Sequence, residues 1–195
     1  MNGLKQAHFE LEKIKFLKGE KGVLKGVEII FNALKEKDGK PDNFRKESDN
    51  YPHPDLIASI TNLKDCLVKS IGKETIVTER LIAGYKKLFK READYKELEG
   101  AIEAHHLGEL SKISVNGVAI SGIDTNRGAV IMGTYECKNG SKIALNSPRI
   151  RFEGESLGIE QEVQELCTVV EVEAWEYAIN DKQAQQQIVF DEGKE

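Results

Sequence analysis

The stretch Val130-Ile131-Met132-Gly133-Thr134-Tyr135-Glu136-Cys137-Lys138-Asn139-Gly140-Ser141-Lys142-Ile143-Ala144-Leu145-Asn146 decides the fold class. Val130, Met132, Thr134 and Glu136 alternate in facing with Ile131, Gly133, Tyr135 and Cys137, the period of a strand. Asn139-Gly140 separates this run from Lys142 to Asn146. A two-residue Asn-Gly connection between strand-like runs is the strongest short hairpin signal, since a tight hairpin turn needs positive φ at its centre. Upstream, Ile113 and Val115, then Val118 and Ile120, flank Asn116-Gly117, which reads as a bulge or a tight turn. Residues 112 to 152 therefore predict a meander of three strands.

Two more strands are predicted in the first forty residues. Phe9, Leu11, Ile14 and Phe16 alternate with Glu and Lys apart from one slip in parity, and Val27, Ile29, Phe31 and Ala33 alternate cleanly beyond a Lys- and Gly-rich turn. From Lys35 to Tyr51 the chain is polar, with Asp38-Gly39 and Pro41-Asp42, and reads as an exposed loop. His53-Pro54-Asp55 then starts a helix, because Pro suits the first turn and Asp complements the positive end of the helix dipole. Leu56, Ile60, Leu63, Leu67 and Ile71 form its apolar stripe, and Gly72 ends it.

Helical patterns continue through Val77, Leu81, Tyr85 and Leu88, and through Tyr95, Leu98, Ile102 and His105; residues 73–107 read as a helical insertion. A last helix is predicted from Leu157 to Ile179, although Thr168-Val169-Val170-Glu171-Val172 also suits a strand. The fold class is α+β: an antiparallel sheet, built from an N-terminal hairpin and a three-stranded meander, covered by helices and closed by an acidic C-terminal helix. One domain spans 1–180, with 181–195 as a flexible acidic tail. No internal repeat is evident.

Charge is divided unevenly. From Glu153 to Glu195 twelve acidic residues face two lysines, a net of −10, whereas the remainder of the chain is +5. Such a split points to a charged partner or to self-masking. With 195 residues, 39% of them hydrophobic, the chain can fill a core. Its apolar runs fall far short of the roughly 20 residues that span a bilayer, and the first residues lack a signal-peptide core. A cytoplasmic location is expected. Cys66, Cys137 and Cys167 sit in apolar patterns and read as reduced core residues.

Catalytic and metal motifs are missing from the sequence. His8, His53, His105 and His106 lack the spacing of a zinc site, there is no Cys-x-x-Cys or nucleophile elbow, and Gly122, Gly128 and Gly133 do not match the dinucleotide fingerprint. The expectation is a protein without enzymatic activity, cofactor or metal. Arg127, Lys138, Lys142, Arg149 and Arg151 belong to or flank the meander, beside Tyr135 and Phe152. Cations interleaved with aromatics suit phosphates and stacked bases, so these residues, Tyr135 included, are the candidate nucleic-acid contacts. The plain alternative is a solvated strand face that protects the sheet edge.

Gln186-Gln187-Ile188-Val189-Phe190 resembles the short Gln-x-x-Leu-Phe peptide with which bacterial and phage replication proteins dock on the sliding clamp, with Val189 in place of the usual Leu. The resemblance implies partner contacts at Gln186, Ile188, Val189 and Phe190. The His53-Pro54-Asp55-Leu56 helix start, Leu145-Asn146-Ser147-Pro148-Arg149-Ile150 and the Gln/Phe tail together resemble small uncharacterised proteins of phages and prophages, over most of the chain except 73–107. This implies a phage protein acting in the cytoplasm of a bacterial host, and no catalytic residues.

Two functions follow. One is a non-enzymatic accessory of phage DNA replication or recombination, with single-stranded nucleic acid on the basic meander and the sliding clamp or another replisome protein on the tail. The other is a host-directed protein, an anti-defence inhibitor or a ligand-sequestering homo-oligomer, whose acidic helix meets a host defence protein or a second subunit. The net charge of −5 favours the latter, since overall acidity opposes nucleic-acid approach, whereas the tail and the charge split favour the former.

Overall fold

The computed structural model describes residues 8–19, 22–33, 41–72, 87, 100, 104, 107–154, 157–180 and 182. Among the described residues the strands are β1 (Phe9–Lys18), β2 (Leu24–Ala33), β3 (Asp42–Ser48), β4 (Ile113–Ser121), β5 (Gly128–Glu136), β6 (Lys142–Asn146) and β7 (Ile150–Arg151); the helices are α1 (Pro54–Thr61), α2 (Lys64–Ser70) and α3 (Glu160–Ile179), and residues 107–111 are also helical. The strands form one antiparallel sheet in the order β3-β2-β1-β4-β5-β6, with β7 beside the start of β5. The α+β class, the N-terminal hairpin, the meander and the C-terminal helix are all present.

The expected loop between Lys35 and Tyr51 is corrected in part. Residues 42–48 are an edge strand paired to β2 along its length. Phe44 is its only apolar residue, and it stacks on Phe31 at 5.5 Å between ring centroids. An outer strand made mostly of charged and polar residues leaves no alternating pattern to read, and those charges discourage edge-to-edge pairing. Lys46 extends the strand's role by donating to the Tyr177 and Ala178 carbonyls at the end of α3, where the helix dipole is negative.

The single helix expected from Pro54 to Gly72 divides at Asn62-Leu63 into α1 and α2. His53 Nδ1 accepts a hydrogen bond from the Asp55 N–H, and Pro54 fills the first turn. The break leaves the stripe intact: Leu56, Ile60, Leu63 and Leu67 are all fully buried. The C-terminal helix begins at Glu160 rather than Leu157, because Gly158 takes a left-handed φ of 71°. The buried Glu160 carboxylate reaches back to accept from the Leu157 and Ile159 N–H groups, capping an end that no Ser, Thr or Asp serves. Thr168 to Val172 are helical.

The slip in parity in β1 is a bulge at Glu12, and Asn116 is the corresponding bulge in β4. The Asn139-Gly140 turn is a three-residue tip: the Cys137 N–H donates to the Ser141 carbonyl, with Gly140 at φ 78°. Helices α1, α2 and α3 pack on one face of the sheet. Leu11, Ile14, Val27, Ile29, Phe31, Val118 and Ile131 from the strands meet Leu56, Ile60, Leu67, Val163, Cys167, Val170 and Tyr177 there.

The chain does contain a repeat, seen in topology rather than in residues. Three antiparallel strands followed by helix occur twice, as β1-β2-β3-α1/α2 and β4-β5-β6-α3, the second with the short β7 between β6 and α3. The halves join where Lys13, Ile14 and Lys15 pair with Ala119, Val118 and Gly117, a register symmetric about Ile14 and Val118. Each half carries its bulge two residues before that central position, at Glu12 and at Asn116. The predicted insertion at 73–107 lies almost wholly outside the described residues, as does the tail apart from Lys182. Lys182 itself is held on the body, 2.8 Å from Asp55 and 2.9 Å from Glu173.

Candidate nucleic-acid interface

The face of the sheet opposite α1, α2 and α3 has a regular charge pattern. Across its middle run Arg45, Ile30, Lys13, Ala119 and Val130, and beside them Glu47, Glu28, Lys15, Gly117, Met132 and Asn146. Charges here largely cancel. Buried Glu28 is paired with Lys13 at 3.4 Å and with Arg45 at 2.7 Å, and Arg45 also pairs with Glu47. Toward the two ends the face has opposite signs. Glu10 and Glu12 stand at one end, whereas Lys142 stands at the other, opposite Glu136; Lys18, which follows the outward Leu17 at the end of β1, lies within the field of Lys142.

The basic end is built by the β1–β2 hairpin and the start of β6. Lys142 stands opposite Glu136 and extends to the hairpin, where its Nζ lies 2.5 Å from the position a Cβ on Gly22 would take. Lys18, at the end of β1, donates to Asn116 Oδ1 on the β4 bulge. Its pKa is lowered, first by burial and then by the field of Lys142. Two ammonium groups held within each other's field favour an anion between or beside them. Lys142 makes no hydrogen bond or ion pair among the described residues. Ser114 and Thr134, neighbours on the same face, share a 2.9 Å hydroxyl contact and offer polar groups nearby.

The six sequence-predicted contacts do not form one patch. Lys142 pairs with Glu136 at one end of β5 and Arg151 with Gly128 at the other, eight residues or about 26 Å apart along the strand. Arg127 pairs with Glu171 of α3 and lies over the Phe152 ring at 5.8 Å, so it joins the second meander to the helix. Burial raises the pKa of Glu171 more than Arg127 lowers it. Arg149 donates to the Ser121 and Asn126 carbonyls and clamps the loop before β5. Tyr135 alternates with Thr134 and Glu136 and so faces away from Lys142; it donates to Glu109, which raises its own pKa. Lys138 is exposed on the β5–β6 tip.

Of the expected cations, then, Lys142 and Lys138 lie at the basic end, and the structure adds Lys18, which sequence reasoning missed. Gln186, Ile188, Val189 and Phe190 lie outside the described residues.

Other chemistry is sparse. Burial pushes the Cys66 thiol up to about 11 and the Cys167 thiol to about 12, so both stay protonated near neutral pH. Cys137 is half-buried, and the cysteines are free. Among the described residues no group of three or more His, Cys, Asp or Glu is arranged to hold a metal ion, and no helix is long and apolar enough to cross a membrane. The chain matches no family model, no curated protein and no solved structure.

Proposed function

We propose that the protein is a non-enzymatic accessory that holds single-stranded nucleic acid at the basic end of the outer sheet face, in phage DNA replication or recombination within a bacterial host. The observation that carries this reading is the convergence of Lys142 and Lys18 on the β1–β2 hairpin, two like charges brought together by residues 124 positions apart. Folding them together has an electrostatic cost, and a bound phosphate offsets it. Ser114, Thr134 and Asn116 supply neutral groups for sugar and phosphate oxygens. Because neither Tyr135 nor any aromatic residue shares this end of the face among the described residues, backbone contacts rather than base stacking dominate, and sequence preference is weak.

The tail from Gln186 to Phe190 supplies the second contact, to the sliding clamp or another replisome protein, on the strength of its resemblance to a clamp-docking peptide. Replacing Val189 and Phe190 with Ala removes that contact and leaves nucleic-acid binding unchanged. The nucleic-acid reading is tested by fluorescence anisotropy of a labelled oligothymidine: affinity falls with salt at a log-log slope of about −0.7 per phosphate contacted. A salt-independent signal, or none at low salt, removes it.

One observation favours the host-directed reading instead. The first half of α3 turns Gln161, Gln164, Glu165, the half-exposed Val169 and Glu162, which pairs with Lys69 at 3.0 Å, outward, a surface with an apolar centre suited to a basic protein. Capture of a host protein that is lost on reversing Glu162 and Glu165 to Lys, with no nucleic-acid binding, decides for it.

A further inference from the structure

The end of the outer face opposite Lys18 and Lys142 contains a cleft. The β1–β4 ladder stops at the Lys13–Ala119 pair, and beyond it the segments 10–13 and 119–123 enclose about 570 Å³. That volume is within the range of small-ligand sites. Leu11 and Ile120, both nearly fully buried, contribute to its lining together with Ile30 and Ala119. Ile123, on the rim, is 74% exposed among the described residues.

Polar groups at the cleft are arranged asymmetrically. Glu12, the bulge residue, accepts from the Asn32 amide at 2.8 Å and from the Asn43 amide at 3.0 Å, which holds its carboxylate in place. Lys13 also lines the cleft, with its ammonium paired to Glu28 at 3.4 Å. Glu10 makes no hydrogen bond or ion pair among the described residues, although it lines the cleft. The pseudo-symmetric position in the other half has neutral Asn116 at its bulge and attracts Lys18; here Glu12 brings negative charge to the equivalent place.

We propose that this cleft binds an aliphatic cation, an ammonium or guanidinium group carried on a short apolar stem. The stem lies against Ile30, Ala119 and Ile123, and the cationic head meets Glu10 and the free lone pairs of Glu12. A carboxylate beside an apolar wall selects this class, since an anion is repelled and a neutral alkyl chain leaves Glu10 without a partner. The cation has two sources, a free diamine or a basic side chain on a partner's peptide. The site is independent of the nucleic-acid reading.

The test uses the full chain labelled with nitrogen-15 and follows the Gly122 and Ile123 amides as cadaverine, the peptide acetyl-Leu-Arg-Leu-amide, or pentanoate is added. Both cations are expected to give saturable shifts and pentanoate none. Tighter binding of cadaverine assigns the site to free amines, and tighter binding of the peptide assigns it to a basic side chain. Glu10→Gln is expected to weaken the cations about tenfold or more, and Ala119→Phe, which fills the cleft, to abolish the shifts while the spectrum stays folded. Glu12→Gln serves as a second charge variant with its Asn contacts largely retained. No saturable shift from either cation, an equal response to pentanoate, or unchanged affinity in both Glu variants overturns the proposal.

Discussion

Ile14 and Val118 pair at the centre of the sheet, both fully buried, and the two halves of the chain are arranged symmetrically about them. The ladder that joins the halves is only three residue pairs long, and the helices pack across it, α1 on β4 and α3 on β1. Gly117 is the most sensitive of the ladder residues. A Cβ there would lie 2.1 Å from the Ile14 carbonyl oxygen, a backbone atom that cannot move aside.

Gly117→Ala is therefore expected to destabilise the fold far more than Gly140→Ala, where nothing lies within 4 Å and only the left-handed φ of 78° opposes a side chain. The Gly140 change costs on the order of 1 kcal/mol. Urea melts of the two variants check this, and an equal, small loss in both means that the halves are not held by this contact.

Leu63 sits in the break between α1 and α2 and is fully buried. Its truncation to Ala is expected to cost roughly 2 to 5 kcal/mol, as for a buried large-to-small change. A loss below about 0.5 kcal/mol would show that the stripe does not pack on the sheet.

Lys182 links the start of α1 to α3 through Asp55 and Glu173. The hydrogen bond from Lys182 lowers the Asp55 pKa below its ordinary value, and Lys182 is raised in turn by Asp55 and then Glu173. A lowered carboxyl pKa stabilises the fold at pH values above the unfolded value of 3.8, and this contribution is lost as pH falls through the folded value. Asp55→Asn is thus expected to lower the melting temperature slightly at neutral pH and to have no effect in strong acid. Truncation after Asn180 is expected to reproduce the neutral-pH loss, and truncation after Lys182 to avoid it. Thermal melts across pH check both, and a deficit for Asp55→Asn that persists in strong acid contradicts the assignment.

Much of the fold is legible because it is local. His53-Pro54-Asp55 specifies a helix start within three residues, and the alternation from Val130 to Cys137 specifies a strand. β3 was hidden because Phe44 is its only apolar residue, the other positions being polar on both sides of an outer strand. The repeat was hidden because equivalent positions share geometry without identity: Glu12 matches Asn116, Lys13 matches Gly117, and Phe31 matches Gly133. Such matches leave no trace in a residue-by-residue reading.

The candidate site was less legible, since its residues meet only through the long-range register. Arg127 and Arg149 read as available cations, but Glu171 and the Ser121 and Asn126 carbonyls, far away in sequence, occupy them. Lys18 reads as one of many hairpin lysines until the fold brings Lys142 beside it. No periodicity in either segment signals that meeting.

The most direct test of the nucleic-acid reading is a comparison of oligothymidine affinity among wild type, Lys18→Glu/Lys142→Glu and Arg151→Glu at fixed low salt. Arg151 is exposed but lies at the far end of β5 from Lys142, and so serves as the charge control. The expected result is a loss of about tenfold or more in the double variant, with the salt slope reduced by roughly one to two phosphates' worth, and little change for Arg151→Glu. Equal losses in both variants would reduce the interaction to overall charge, and undiminished binding by the double variant would contradict the site itself.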